Sequence, residues 1–168
     1  MSQHNAASPR RGFLARLFAL GGLAAVGGAQ AAESAKPAEK QERFPGDPPQ
    51  HKIVYQINEA EWEYQEHILN SISAMIQKYE DNVAIAVVAF GPGIHILAKQ
   101  PKREVPAMIR ERVKGFSENY GVRFIACGNT MSTIGWEKKD MVDFAEIEQV
   151  GAAALMELQE QGYAYLAW

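Results

Sequence analysis

Between His51 and Trp168, apolar residues fall in two alternating kinds of pattern. "HKIVYQIN", from His51, is a short apolar and β-branched run, and it predicts a strand. In the stretch that follows, Trp62, Ile68, Leu69, Ile72, Met75, Ile76 and Tyr79 recur at helical spacing. "NVAIAVVAF" is apolar almost without interruption up to Gly91-Pro92-Gly93, as expected of a strand covered on both faces. "GIHILAK" adds a further short strand. Val105, Met108, Ile109, Val113, Phe116 and Tyr120 then mark a second amphipathic helix, with Pro106 in its first turn and Gly121 as its stop. "VRFIAC" is the next buried strand. "DFAEIEQ" fits either a short strand or a helix start, and periodicity leaves both open. A helical pattern from Val150 to Gln161, with Gly162 as the C-terminal cap, precedes a closing strand in "YAYLAW".

Strands alternating with helices of this length indicate βαβ units, hence an α/β fold with a mainly parallel sheet of about five strands and helices on both faces. The 118 residues from His51 onward are enough to bury one core without disulfides.

The first fifty residues differ in character. "SPRRGFLARLFALGGLAAVGGAQAAES" places the adjacent Arg10 and Arg11 before a weakly apolar run from Leu17 to Gly28, and Ala29-Gln30-Ala31 is a small-x-small cleavage site. This is the layout of a twin-arginine export signal, expected to end at Ala31 and to direct the chain to the periplasm. The run is too short to span a bilayer, so no stable membrane insertion is expected after cleavage. Residues 32–50, rich in Pro, Ala and charge, read as a flexible linker, leaving 51–168 as the folded domain. Removing residues 1–31 leaves 14 Lys and Arg against 20 Asp and Glu, a net −6. Such a balance excludes a nucleic-acid partner, which needs clustered cations to displace counterions.

In an open parallel sheet, ligands gather beyond the carboxyl ends of the strands. The loops there are Asn58-Glu59, Gly91-Pro92-Gly93 and Cys127-Gly128-Asn129-Thr130. Cys127 is the only cysteine of the chain. A thiolate at a helix N-terminus is stabilised by exposed amides and the helix dipole. Gly128 allows amides to approach the sulfur, and Asn129 or Thr130 is expected to cap a short helix through "TMSTIGW". Free cysteine is also a common apolar filler of cores, and spacing leaves the reactive and the buried readings open. An oxidising compartment offers this thiol no intramolecular partner. His95, after the Gly-Pro-Gly turn, is a candidate acid, base or anion contact if the two loops meet. The paired Lys138 and Lys139 fit a solvated loop. His51 and His67 lie far apart, and no short spacing suggests a metal site. Neither a phosphate-loop signature nor a serine-nucleophile elbow is present, and no cofactor is expected. Met108, Met131, Met141 and Met156 fall at core-like positions.

"KIVYQIN", "VAIAVVAFGPGIHIL", "FIACGNTM" and the ending "ELQEQGYAYLAW", in this order, resemble the DsrE/DsrF-like family, which includes YchN-type proteins. The resemblance covers His51 to Trp168. It implies a three-layer α/β/α sandwich and assembly into homo-oligomers, trimers or hexamers. It further implies that Cys127 accepts sulfane sulfur as a persulfide and passes it to a sulfur-carrier protein, or binds a small sulfur species. Gly128, Asn129, Thr130, Asn58, Gly91, Gly93 and His95 are then the expected ligand-binding residues. The alternatives are a non-catalytic binding or assembly module with a structural cysteine, and a flavodoxin-like cofactor protein, for which a phosphate-cradling loop is missing.

Overall fold

The computed structural model describes Arg43, Phe44 and residues 46–168. The expected signal peptide and most of the expected linker lie outside these residues. In the described part of the linker, Arg43 donates to the Asp81 carboxylate at 2.6 Å and to the Asp81 carbonyl oxygen at 3.0 Å. Among the described residues no helix is long and apolar enough to cross a membrane.

In chain order the elements are β1 (His51–Ile57), α1 (Trp62–Tyr79), β2 (Val83–Ala89), a 3₁₀ helix (Gly91–Leu97), α2 (Ala107–Tyr120), β3 (Arg123–Cys127), α3 (Gly128–Thr133), a 3₁₀ turn (Lys138–Asp140), β4 (Glu146–Glu148), α4 (Gly151–Glu160) and β5 (Ala164–Leu166). They build one sheet in the order β4-β3-β2-β1-β5, with every neighbouring pair parallel. The α/β fold with a five-stranded parallel sheet is therefore the one expected.

Side chains of a strand alternate between faces, so the unbroken apolar run of β2 serves two cores. Ile85, Val87 and Ala89 join Tyr55, Ile57, Phe124 and Ala126 beneath α1, α2 and the 3₁₀ helix 91–97. Ala86 and Val88 join Val54 and Ile125 on the opposite face, beneath Ala154, Leu155 and Leu158 of α4. The chain moves one way across the sheet from β1 to β4, then doubles back to β5. Right-handed crossovers travelling in opposite directions put their connections on opposite faces, which is why, among the described helices, α4 is the one on the second face.

The short strand expected in "GIHILAK" is instead the 3₁₀ helix, and only Ala98 keeps a strand-like contact, an isolated antiparallel bridge to Met141. Pro92 has no N–H to give to a ladder, and Ile94, His95, Ile96 and Leu97 are all buried without alternation. Gly93 lies against the end of β1 so closely that a Cβ there would sit 2.3 Å from the Ile57 carbonyl oxygen. The ambiguous "DFAEIEQ" resolves as strand β4, where Ile147 pairs with Ala126 and Arg123 grips Glu146 through two bonds of 2.9 and 2.6 Å. Gly121, with φ +64°, ends α2 as expected. Met131 and Met141 are buried, but Met108 and Met156 are half exposed and belong to neither core.

Gly93→Ala is expected to destabilise the domain by about 3 kcal/mol or more, because backbone must move to admit the methyl group. Gly115→Ala, in the middle of α2 with only Asn119 Nδ2 at 3.8 Å, is expected to stabilise it by roughly 0.5–1 kcal/mol through helix propensity and chain entropy. Chemical denaturation of both variants checks the contrast.

Candidate functional site at the sheet's carboxyl edge

Cys127 is the last residue of β3 and the N-cap of α3. The helix begins at Gly128, earlier than expected, and neither Asn129 nor Thr130 caps it; no side-chain cap bond is made at all. Strand alternation turns Cys127 to the same face as Ile125, toward α4. There the Gly151 amide, the first of α4, donates to Cys127 Sγ at 3.3 Å. The sulfur thus lies between the starts of two helices leaving adjacent strands on opposite faces, the crevice where ligands gather in open α/β sheets.

The close approach depends on Gly151 lacking a side chain. A Cβ at that position would lie 3.0 Å from Cys127 Cβ and 3.3 Å from the sulfur. The Asn129 amide donates to the Gln149 carbonyl oxygen at 2.9 Å, and Gln149 Nε2 returns a bond to Asn129 Oδ1 at 2.6 Å. These two bonds tie the end of β4 to the start of α3. Gly128 faces Gln149, whose Cα and Oε1 would both lie 3.1 Å from an added Cβ.

Cys127 is only 7% exposed. Burial alone would push its thiol up, but the Thr130 amide and hydroxyl, then the Gly151 and Asn129 amides, outweigh it and hold the thiol below its ordinary value. The Thr130 oxygen also accepts the Gly91 amide at 3.1 Å, so the Gly-Pro-Gly loop and the cysteine loop do meet. An accepted N–H on the hydroxyl oxygen polarises the O–H that stabilises a thiolate.

The other expected residues divide. Asn58 is engaged through Oδ1 by the Tyr64 hydroxyl at 2.8 Å, and Gly93 packs on β1; neither bonds to the sulfur. His95 is buried, its Nδ1 accepts the Lys102 amide at 3.2 Å, and its ring meets Trp136 edge-on at 4.9 Å. Burial, then the charges of Arg103 and Lys102, lower its pKa, so the ring is neutral near pH 7. It makes no hydrogen bond to Cys127. Lys139 pairs with Glu137 at 3.0 Å on the surface. Among the described residues no three His, Cys, Asp or Glu side chains group as metal ligands.

Gly151, Gln149 and Arg103 escaped the sequence reading. Gly151 follows directly on β4, so once that segment is known as a strand its loop belongs with the others at the carboxyl edge. Arg103 stands in a polar loop with no local signal. It lines a cleft of about 370 Å³ with Gly91, Pro92, His95, Thr130, Thr133 and Ile134. A groove of about 340 Å³ over α2, floored by Ile96, Val113 and Phe144, contains none of these groups.

The DsrE/DsrF-like family model matches residues 44–168, which is most of the chain and all but the first residues of the described domain. The chain belongs to this family. Among solved structures, the DsrE-like domain is similar to a protein of unknown function, MTH1491, from Methanobacterium thermoautotrophicum. The two are 23% identical with a TM-score of 0.63, over 70% of this chain and 99% of the other. It is also similar to the ychN protein of E. coli, at 17% identity and a TM-score of 0.59, again over 70% of this chain and 99% of that one. At these identities the likeness is one of fold. No curated protein sequence matches significantly.

Alkylation of Cys127 in the folded protein is expected to follow a pH profile whose midpoint lies below that of a free thiol. Thr130→Val should move the midpoint upward, by removing the hydroxyl bond, and Gly151→Ala should slow alkylation at neutral pH by displacing the α4 amide. Iodoacetamide kinetics from pH 5 to 10 read both effects. A wild-type midpoint at or above that of a free thiol would show that burial prevails.

Proposed function

We propose that this DsrE-like protein is an exported sulfur-trafficking protein in which Cys127 accepts sulfane sulfur as a persulfide. The observation that carries the reading is the 3.3 Å contact of the Gly151 amide with Cys127 Sγ, in a setting that holds the thiol below its ordinary value. In the transfer, the Cys127 thiolate attacks the outer sulfur of a donor R–S–SH. A new S–S bond forms, the donor's S–S bond breaks, and R–S⁻ leaves with the electron pair, giving Cys127–S–SH. No net oxidation occurs. The same amide then faces the persulfide as it ionises, and no second cysteine exists in the chain to resolve it into an intramolecular disulfide.

The proposal includes a homo-oligomer, as the family resemblance implies, and a downstream carrier protein or small sulfur acceptor. Tyr165, Leu166 and Trp168, at and beyond the edge strand β5, are 40%, 38% and 55% exposed and supply apolar surface for self-association. A second reading, a binding or assembly module in which Cys127 fills space, is favoured by the low exposure of the thiol. Fast alkylation of the native protein, compared with the unfolded one, separates the two.

Intact-protein mass spectrometry after incubation with polysulfide tests the carrier reading. The wild type is expected to gain sulfur mass that reductant removes, and Cys127→Ser to gain none while keeping its fold. Equal gain in both, or none in either, would overturn it. For the export part, replacing Arg10 and Arg11 by lysine is expected to leave the precursor uncleaved in the cytoplasm, as fractionation and immunoblotting would show; unchanged processing would exclude the twin-arginine route.

A further inference from the structure

The cleft lined by Arg103 has features that the cysteine site does not use. Arg103 is exposed, and among the described residues no carboxylate pairs with it. No Asp or Glu lines the cleft. The second cation nearby is already committed: Lys102 Nζ donates to the Ile134 carbonyl oxygen at 3.0 Å and lies 5.5 Å from the Trp136 ring centre.

His95 supplies an independent observation. It is 6% exposed and lines the cleft. Because its Nδ1 accepts the Lys102 amide, the ring proton of the neutral form must sit on Nε2. That Nε2–H has no hydrogen-bond acceptor among the described residues. His95 lines the cleft and its Nε2–H is open to water there, which a ligand oxygen can replace. One free guanidinium and one unspent N–H, with no acid lining the cleft, select an anion.

The size and the walls narrow the ligand further. About 370 Å³ lies within the range of small-molecule pockets, roughly 300 to 1,000 Å³. Pro92 and Ile134 give apolar wall, which suits an organic skeleton better than a hydrated inorganic ion. Thr130 lines the cleft and is the third residue of α3, whose N-cap is Cys127, so the cleft adjoins the cysteine.

We propose that the cleft binds the carboxylate of a small organic persulfide, with Arg103 as its ion-pair partner and His95 Nε2–H as its second donor, and presents the outer sulfur to Cys127. The ligand's identity as a persulfide rests on the sulfur-carrier reading; the anion site does not. The transfer is the balanced exchange given above, with the small thiolate as leaving group held by its carboxylate until it departs.

The test uses the full-length protein and two pairs of compounds. N-acetyl-S-methylcysteine, an unreactive carboxylate, is expected to bind and to shift the His95 imidazole resonances in NMR, whereas its neutral amide does neither. Arg103→Gln, an exposed and unpaired position where the fold should be unaffected, is expected to weaken that binding about tenfold or more, the effect of one charged hydrogen-bonding partner. In the reactive pair, N-acetylcysteine persulfide should load Cys127 faster than its amide counterpart. Arg103→Gln should abolish the preference by slowing the acid, with loading by the uncharged amide as the reference. Equal binding of acid and amide, or binding indifferent to Arg103, overturns the anion site even if polysulfide still loads Cys127. Binding of the acid with no sulfuration by any donor overturns the carrier reading and with it the persulfide identity of the ligand.

Discussion

The direction in which the chain crosses its sheet governs the rest of this molecule. From β1 to β4 each strand is laid beside the last, with connections on one face; the passage from β4 to β5 runs back across three strands and must lie on the other. The reversal opens a crevice between the carboxyl ends of β3 and β4, because the segments leaving them part to opposite sides. Cys127 is at the end of β3 and Gly151 at the start of α4, so the reversal brings their contact about. A sheet in which β5 continued beyond β4 would place α4 on the first face, and the amide would not reach the sulfur.

Within that crevice two opposing effects act on one thiol. Cys127, a residue 7% exposed, loses hydration, which disfavours the thiolate, while backbone amides and the Thr130 hydroxyl favour it. Fixed donors win because they are held by bonds that belong to the fold: Gly91 to Thr130, Asn129 to Gln149 and Gln149 back to Asn129. Each would persist with the cysteine absent. Glycine recurs for a steric reason here, since Gly93 and Gly151 both stand where a methyl group would press on a neighbour that cannot give way. The first lets the loop after β2 fold down over β1, and the second lets α4 begin against Cys127.

The same loop that carries Gly91 to Thr130 also buries His95 and sets Arg103 on the rim of the adjoining cleft. Cys127 and the cleft are therefore two parts of one edge, joined through Thr130. In the proposed sulfur transfer, the cleft would hold the donor's body while the thiolate stays shielded from solvent. Membership of the DsrE/DsrF-like family and the likeness to MTH1491 and ychN concern the frame. The chemistry rests on the residues placed upon it.

Much of the frame was legible from residue spacing, because hydrophobic periodicity is a local property. The doubly covered β2, the amphipathic α1 and α2, and Gly121 as a helix stop all follow from neighbours within a few turns. Spacing also put Cys127 at the end of a strand on the sheet's carboxyl edge. The failures occurred where local preference was overruled. "GIHILAK" has strand-forming residues, but Pro92 and the packing of Gly93 on β1 turn it into a 3₁₀ helix. "DFAEIEQ" has too few apolar positions to declare itself, and becomes a strand only because β3 offers it an edge and Arg123 a partner for Glu146.

By itself, then, the sequence determined most of the elements, their order and the single thiol available for chemistry. What surrounds the thiol was decided by tertiary structure. Gly151 is 24 residues from Cys127 and Gly91 is 39 from Thr130, and no local pattern links such pairs. They meet because parallel register aligns the strand ends at one edge, while the crossover reversal sets which helix starts lie beside which strand, and both depend on the whole sheet rather than on any segment of it.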